Sequence, residues 1–149
     1  MNEGQIAPDF SLPNEAGEKV TLSQFKGRQV VLYFYPKDMT PGCTQEVCDF
    51  RDNWTAVQAK GAVVLGVSTD TSESHQKFKN KYELPFPLLS DEDKKVLKAY
   101  GVLQKVTKDG EEKQKIVRTT VLIGTDGKVK KVWSPVGVAG HATDVLANL

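Results

Sequence analysis

A chain of 149 residues is long enough to form one domain, 1–149, with a core of its own. Its 39% hydrophobic and 26% charged residues are those of an ordinary globular chain, and a net charge of +1 supplies no basic stripe, so nucleic acid is excluded as a partner. No apolar run approaches the roughly 20 residues a bilayer requires, and Met1-Asn2-Glu3-Gly4-Gln5 has no leader pattern, so a membrane role is excluded and a cytoplasmic protein is expected.

The N-terminal elements read as a small hairpin. Phe10-Ser11-Leu12 and Lys19-Val20-Thr21-Leu22 flank the turn-rich Pro13-Asn14-Glu15-Ala16-Gly17. The continuous apolar run Val30 to Tyr35 ends at Pro36 and suits a strand buried on both faces. A helix is expected from Thr40 to about Lys60, stopped by Gly61. Ala62 to Val67 is a second buried strand. A helix follows over Ser72 to Tyr82, with Ser72 as its cap, and Leu84-Pro85-Phe86-Pro87 ends it. Leu88-Leu89 forms a short strand, and Asp93 to Tyr100 a short helix. Lys105 to Lys115, polar and charged, reads as an exposed loop. Val117 to Ile123 and Lys128 to Trp133 flank Thr125-Asp126-Gly127, a hairpin signal. A terminal helix runs from His141 to about Ala147. This order implies a parallel crossover followed by an antiparallel hairpin, hence an α/β fold with a mixed sheet flanked by helices.

Two cysteines and two histidines, scattered, do not form a zinc pattern. Cys43 falls in the first turn of the expected helix, after Thr40 as N-cap and Pro41 at the first helical position. Unpaired backbone N–H groups and the helix dipole both favour a thiolate there. At about 100° per residue, Val47, Phe50, Trp54 and Val57 share the face of Cys43, so this thiol heads the apolar stripe. Cys48 lies about 140° round, towards Arg51, Asp52 and Thr55. Spacing alone leaves Cys43 either a reactive thiol or a small core residue. In a cytoplasmic chain a cysteine pair favours redox chemistry over a permanent bridge. Arg118 interrupts an otherwise apolar strand and needs a carboxylate or another anion beside it. Glu46, one turn after Cys43, reads from the sequence as a solvated helix residue. His75, among Lys77, Lys79 and Lys81, reads as part of a solvated face. His141 is expected to pack or cap, and Trp133 to be a core aromatic.

Pro36, Thr40 and Cys43 match the Pro-x-x-x-Thr-x-x-Cys signature of peroxiredoxins, and the Cys-x-x-x-x-Cys spacing of Cys43 and Cys48 resembles the bacterioferritin-comigratory-protein, or PrxQ-like, subgroup. Ala7-Pro8-Asp9-Phe10, the stretch from Asp38 to Glu46, Arg118-Thr119-Thr120 and the stretch from Trp133 to His141 look like that family too, so the resemblance covers essentially the whole chain. It implies a thioredoxin-like fold with an N-terminal extension. It implies Cys43 as the peroxidatic thiol and Cys48 as the resolving thiol, joined in an intramolecular disulfide. It also implies that Thr40 aligns the peroxide, Pro36 screens the pocket, Arg118 activates the thiol and Glu46 orients Arg118.

The activity implied is thiol-dependent reduction of hydrogen peroxide and organic hydroperoxides, with a thioredoxin-like dithiol as reductant and no metal, haem or flavin cofactor. A monomer is expected, as is common in the subgroup. Two other readings compete. A disulfide oxidoreductase acting on proteins is disfavoured by the Cys-x-x-x-x-Cys spacing. A non-enzymatic holdase or binding module would not depend on Cys43.

Overall fold

The computed structural model describes residues 2–149; Met1, part of the stretch read as lacking a leader, lies outside them. The hairpin of β1 (Ser11–Pro13) and β2 (Lys19–Thr21) pairs antiparallel as the turn residues require. A 3-10 turn over Leu22–Phe25 leads into β3 (Gln29–Phe34). Then come α1 (Pro41–Asp52), α2 (Trp54–Ala59), β4 (Ala62–Ser68), α3 (Ser72–Tyr82), β5 (Leu88–Ser90) and α4 (Lys95–Ala99). The hairpin β6 (Leu103–Lys108) and β7 (Glu111–Ile116), the strands β8 (Thr119–Ile123) and β9 (Val129–Trp133), and α5 (His141–Ala147) complete the chain.

The central sheet runs β5-β4-β3-β8-β9. Strands β3, β4 and β5 are parallel, while β8 and β9 run antiparallel to their neighbours. This is the expected mixed sheet of a thioredoxin-like fold. The period of two along β3 sends Val30, Leu32 and Phe34 into one core and Val31 and Tyr33 into another. The first core is closed by Leu12 and Val20 of the N-terminal hairpin and by Val96 and Leu97 of α4. The second is closed by Val47 and Phe50 of α1, Val57 of α2, Phe78 of α3 and Val145 of α5. Among the described residues no helix is long and apolar enough to cross a membrane.

Four boundaries differ from the sequence reading. The helix expected over residues 40–60 is broken at Asn53, whose side-chain amide donates to the Asp49 carbonyl at 2.8 Å and competes with the helical ladder. Residues 105–115 form the β6–β7 hairpin instead of a loop. Their strand period is hidden because both faces are largely exposed, but Asp109-Gly110, both at positive φ, is the two-residue hairpin signal that could have revealed it. The cap of α3 is Thr71, whose hydroxyl accepts the Ser74 N–H at 3.1 Å, one residue before the expected Ser72. Finally, β8 begins at Thr119, so Arg118 stands just before the strand instead of inside it.

Because Phe34 at the end of β3 pairs with Thr119 at the start of antiparallel β8, the loop after β3 and the residues before β8 share one end of the sheet. That register brings Arg118 to the N-terminus of α1. Beneath α1, the Tyr33 ring stacks on Phe50 and lies over Gly66 of β4. A Cβ at Gly66 would meet the Tyr33 hydroxyl oxygen at 2.6 Å and Leu88 Cδ2 at 3.0 Å. Tyr33 is fully buried and cannot swing away. Gly66→Ala is therefore expected to destabilise the fold by about 1–3 kcal/mol through overpacking. Urea unfolding should show a lower midpoint at unchanged slope; an unchanged midpoint would contradict the packing argument.

Candidate active site

Thr40 is the N-cap residue of α1, with Pro41 directly after it, as the sequence suggested. Its hydroxyl does not cap the helix. Thr40 Oγ1 donates backwards to the Lys37 carbonyl at 2.8 Å, which ties off the loop between β3 and α1. Pro36 is half-buried behind that loop. Cys43 is buried, 1% exposed, and belongs to the second core, as its helical phase required.

Arg118 Nη2 donates to Cys43 Sγ at 3.2 Å, and Arg118 Nη1 donates to Glu46 Oε1 at 2.9 Å. One planar guanidinium thus bridges the thiol and the carboxylate on successive turns of α1. Gly42 permits the approach, since a Cβ there would lie 3.1 Å from Arg118 Nη2. Burial alone would lower the affinity of Arg118 for its proton, but the Glu46 carboxylate and the Cys43 sulfur reverse this, and its pKa lies above the ordinary value.

Glu46 is buried, not solvated, and its Oε2 finds no hydrogen-bond partner among the described residues. Burial raises its pKa from 4.5 to about 7 against the opposing pull of Arg118. Near neutrality the carboxyl is therefore partly protonated, which leaves more of the Arg118 charge uncompensated for the sulfur beside it.

Cys48 departs from the expected polar face. It is half-buried and packs against the margin of the second core, with the charges of Arg51, Asp52 and Asp49 still near it. Burial raises its thiol pKa, opposed by Arg51. Both thiols are free. They share α1, where residues five apart have Cα atoms about 8.7 Å apart and side chains about 140° apart.

The two histidines complete the surroundings. His141 Nε2 lies 2.8 Å from Thr120 Oγ1, and its ring meets Trp133 and Phe50 edge-on, so it packs as expected. Burial lowers its pKa, which Asp144 opposes and Arg118 reinforces. Trp133 is only half-buried, and its indole N–H donates to Asp144 at 2.8 Å.

His75 overturns the solvated-face reading. It is fully buried, bonded to Asp38 at 2.7 Å and to the Leu89 carbonyl at 3.0 Å. The neighbouring lysines obscured its phase. His75, Phe78 and Tyr82 recur at i, i+3 and i+7, a stripe that faces the sheet and that the sequence could have shown.

Known proteins share this fold. The sequence model of the AhpC/TSA family matches residues 4–132. The chain is 49% identical to a putative peroxiredoxin bcp of Coxiella burnetii, over 98% of this chain and 97% of that protein. It is 47% identical to the peroxiredoxin Bcp of Bacillus subtilis, over 98% and 93%. Among solved structures, the bacterioferritin comigratory protein of Xanthomonas campestris, studied for alkyl peroxide reduction, superposes with a TM-score of 0.94 at 38% identity, covering 99% of this chain and 96% of that one. BcpB of Mycobacterium tuberculosis superposes with a TM-score of 0.88 at 38% identity, covering 99% and 95%. The chain belongs to the AhpC/TSA family and, within it, to the Bcp or PrxQ-like peroxiredoxins. It is a thiol peroxidase, with a peroxide as substrate and a thiol as reductant.

The environment of Glu46 sets a pH dependence. Between 4.5 and about 7 the folded chain holds a proton that the unfolded chain has released. The stability tied to this group is complete below 4.5 and is lost as pH rises through about 7. The displacement corresponds to about 3 kcal/mol. Glu46→Gln, which has no such proton to lose, should flatten the fall in unfolding free energy across this range. Parallel pH profiles for parent and variant would contradict it.

Proposed function

We propose that Cys43 is the peroxidatic thiol and Cys48 the resolving thiol of this peroxidase. The observation that carries the reading is the Arg118 guanidinium, held by Glu46 and donating to a buried sulfur at a helix N-terminus. The Cys43 thiolate attacks the terminal oxygen of a hydroperoxide. The S–O bond forms, the O–O bond breaks, and the departing oxygen leaves as water or an alcohol after taking a proton. Arg118 stabilises the negative charge that develops on that oxygen. Thr40, with its hydrogen committed to Lys37, offers its oxygen to the peroxide O–H and aligns it for attack. Pro36 walls the loop side.

Cys43 becomes a sulfenic acid. Cys48 attacks the Cys43 sulfur next; the S–S bond forms and hydroxide leaves as water. A disulfide normally needs Cα atoms within about 7 Å, so the first turns of α1 must unwind for this step. The raised pKa of Cys48 keeps it a thiol until unwinding exposes it. A dithiol protein of thioredoxin type then reduces the bridge. The need to regenerate two free thiols at each turnover supports a reducing compartment, the cytoplasm, and a one-domain monomer is the simplest unit for an intramolecular bridge.

The test is peroxide reduction coupled to thioredoxin and its reductase. Cys43→Ser should abolish turnover while the fold survives. Cys48→Ser should consume one peroxide per chain and then stall as the sulfenic acid until an external thiol is added. A folded Cys43→Ser variant with near-native turnover would sink the assignment.

Arg118→Ala should slow peroxide attack by about 2–4 kcal/mol of lost transition-state stabilisation. An unchanged rate of attack would reject the role.

A further inference from the structure

The loop that carries Thr40 is anchored by buried groups that the peroxidase chemistry does not use. Asp38 stands between Pro36 and Thr40, and its carboxyl group makes three hydrogen bonds. Tyr35 Oη donates to Oδ1 at 2.6 Å, Ser74 Oγ donates to Oδ2 at 2.8 Å, and His75 Nδ1 lies 2.7 Å from Oδ2. The Asp38 backbone N–H is held as well, donating to Asp70 Oδ2 at 2.8 Å, while Ser68 Oγ donates to the same oxygen at 2.7 Å. Met39, immediately after, is held at φ 66°, a conformation non-glycine residues adopt only where the surroundings impose it.

The proton count of the pair follows from its partners. The Leu89 carbonyl can only accept, so His75 Nε2 carries a hydrogen. Nδ1 then faces a carboxylate oxygen, and one further proton lies between them. Whether it resides on the ring or the carboxyl, Asp38 and His75 together are neutral, which makes their complete burial tolerable. Burial keeps the Tyr35 hydroxyl well above its ordinary pKa, so it remains a donor. The side-chain atoms of Asp38, Asp70 and His75 lie close enough to hold a metal ion. Both ring nitrogens and both Asp38 oxygens are already engaged, however, and a cation would have to displace these bonds.

We infer that Asp38 and His75 are positioning residues: a buried neutral lock that ties the Pro36–Thr40 loop to Tyr35, α3 and β5 and holds Thr40 in place for peroxide attack. The lock sits on the N-terminal side of α1. It fixes the loop that presents Thr40 while leaving residues 41–52 free to unwind for the Cys43–Cys48 step. Loss of the lock therefore impairs attack and does not slow disulfide closure.

The inference rests on Cys43 as the attacking thiol and is tested on the full-length chain. Asp38→Asn, His75→Asn and their double variant are compared with Tyr35→Phe, which removes one hydroxyl from the lock and keeps the ring packing. The folded fraction of each is measured by circular dichroism, and single-turnover kinetics with hydrogen peroxide separate sulfenic acid formation from disulfide closure. The Asp38 and His75 variants should slow sulfenic acid formation in the folded fraction by about 10- to 100-fold, as misplacing a reacting geometry does. Tyr35→Phe should do so by a few-fold. Closure should be as fast as in the parent, or faster. The double variant should lose little more than the worse single one, as expected of groups acting as a unit.

A purely structural role lowers the folded fraction and leaves both rate constants of folded molecules unchanged; that result overturns the lock. So does an additive double variant, or equal slowing of the two steps. If the two singles fail to fold, parent-like attack by folded Tyr35→Phe overturns it. Each of these failures leaves Cys43 as the attacking thiol, whereas full turnover by Cys43→Ser would remove the reading beneath it.

Discussion

Everything at the active end of this fold depends on one guanidinium reaching two turns of one helix. Arg118 spans Glu46 and Cys43 with its two terminal nitrogens. The Glu46 contact sets the orientation, and the Cys43 contact then follows from the helical step between the two residues. The sheet supplies the other half of the constraint. Antiparallel pairing of β8 with β3 brings residue 118 to the end of the sheet where the helix after β3 begins. In a wholly parallel sheet the same arginine would emerge at the opposite end.

The electrostatics of this arrangement work because Glu46 is a weak counter-ion. A fully ionised carboxylate would hold much of the arginine's charge for itself. Burial in the second core shifts Glu46 towards its neutral form near pH 7, against the attraction of Arg118. The carboxyl can thus orient the cation through a hydrogen bond while neutralising it only in part. The stability cost at higher pH and the availability of positive charge for the sulfur have the same cause.

The elements of the sheet were legible in the sequence because each has a strong local signature. Val30 to Tyr35 and Ala62 to Val67 are unbroken apolar runs, and Thr125-Asp126-Gly127 is a turn with a mechanism. Cys43 and Thr40 were legible from capping and helical phase, and Arg118 from its misplacement in an apolar stretch. Their roles came with the motif they share with peroxiredoxins. What was hidden depends on residues distant in sequence. Cys48 is half-buried because it borders the second core, which residues far along the chain complete. His75 is surrounded by lysines in sequence but faces Asp38 in space, a pairing across 37 positions that no local window contains. The break at Asn53 is a contest between a side-chain amide and a backbone N–H for the Asp49 carbonyl, too finely balanced for propensity to decide.

These features divide the active end into a part that stays and a part that moves. The loop through Thr40 is anchored by buried polar contacts to strands and to α3, none of which lies in α1. Helix α1 is held differently, by the apolar contacts of Cys43, Val47 and Phe50 and by the Arg118 bridge. Hydrophobic contacts lack direction and can re-form after a helix unwinds, whereas a buried hydrogen-bonded pair is lost outright if its geometry slips. The break at Asn53 limits the other side, since α2 is a separate helix and need not melt with α1. On the proposed mechanism the fold must keep a rigid pocket for the peroxide and also free residues 41–52 for disulfide closure. Directional contacts fix the loop, while apolar contacts and a few side-chain bonds hold the helix, and both requirements are met within one short segment.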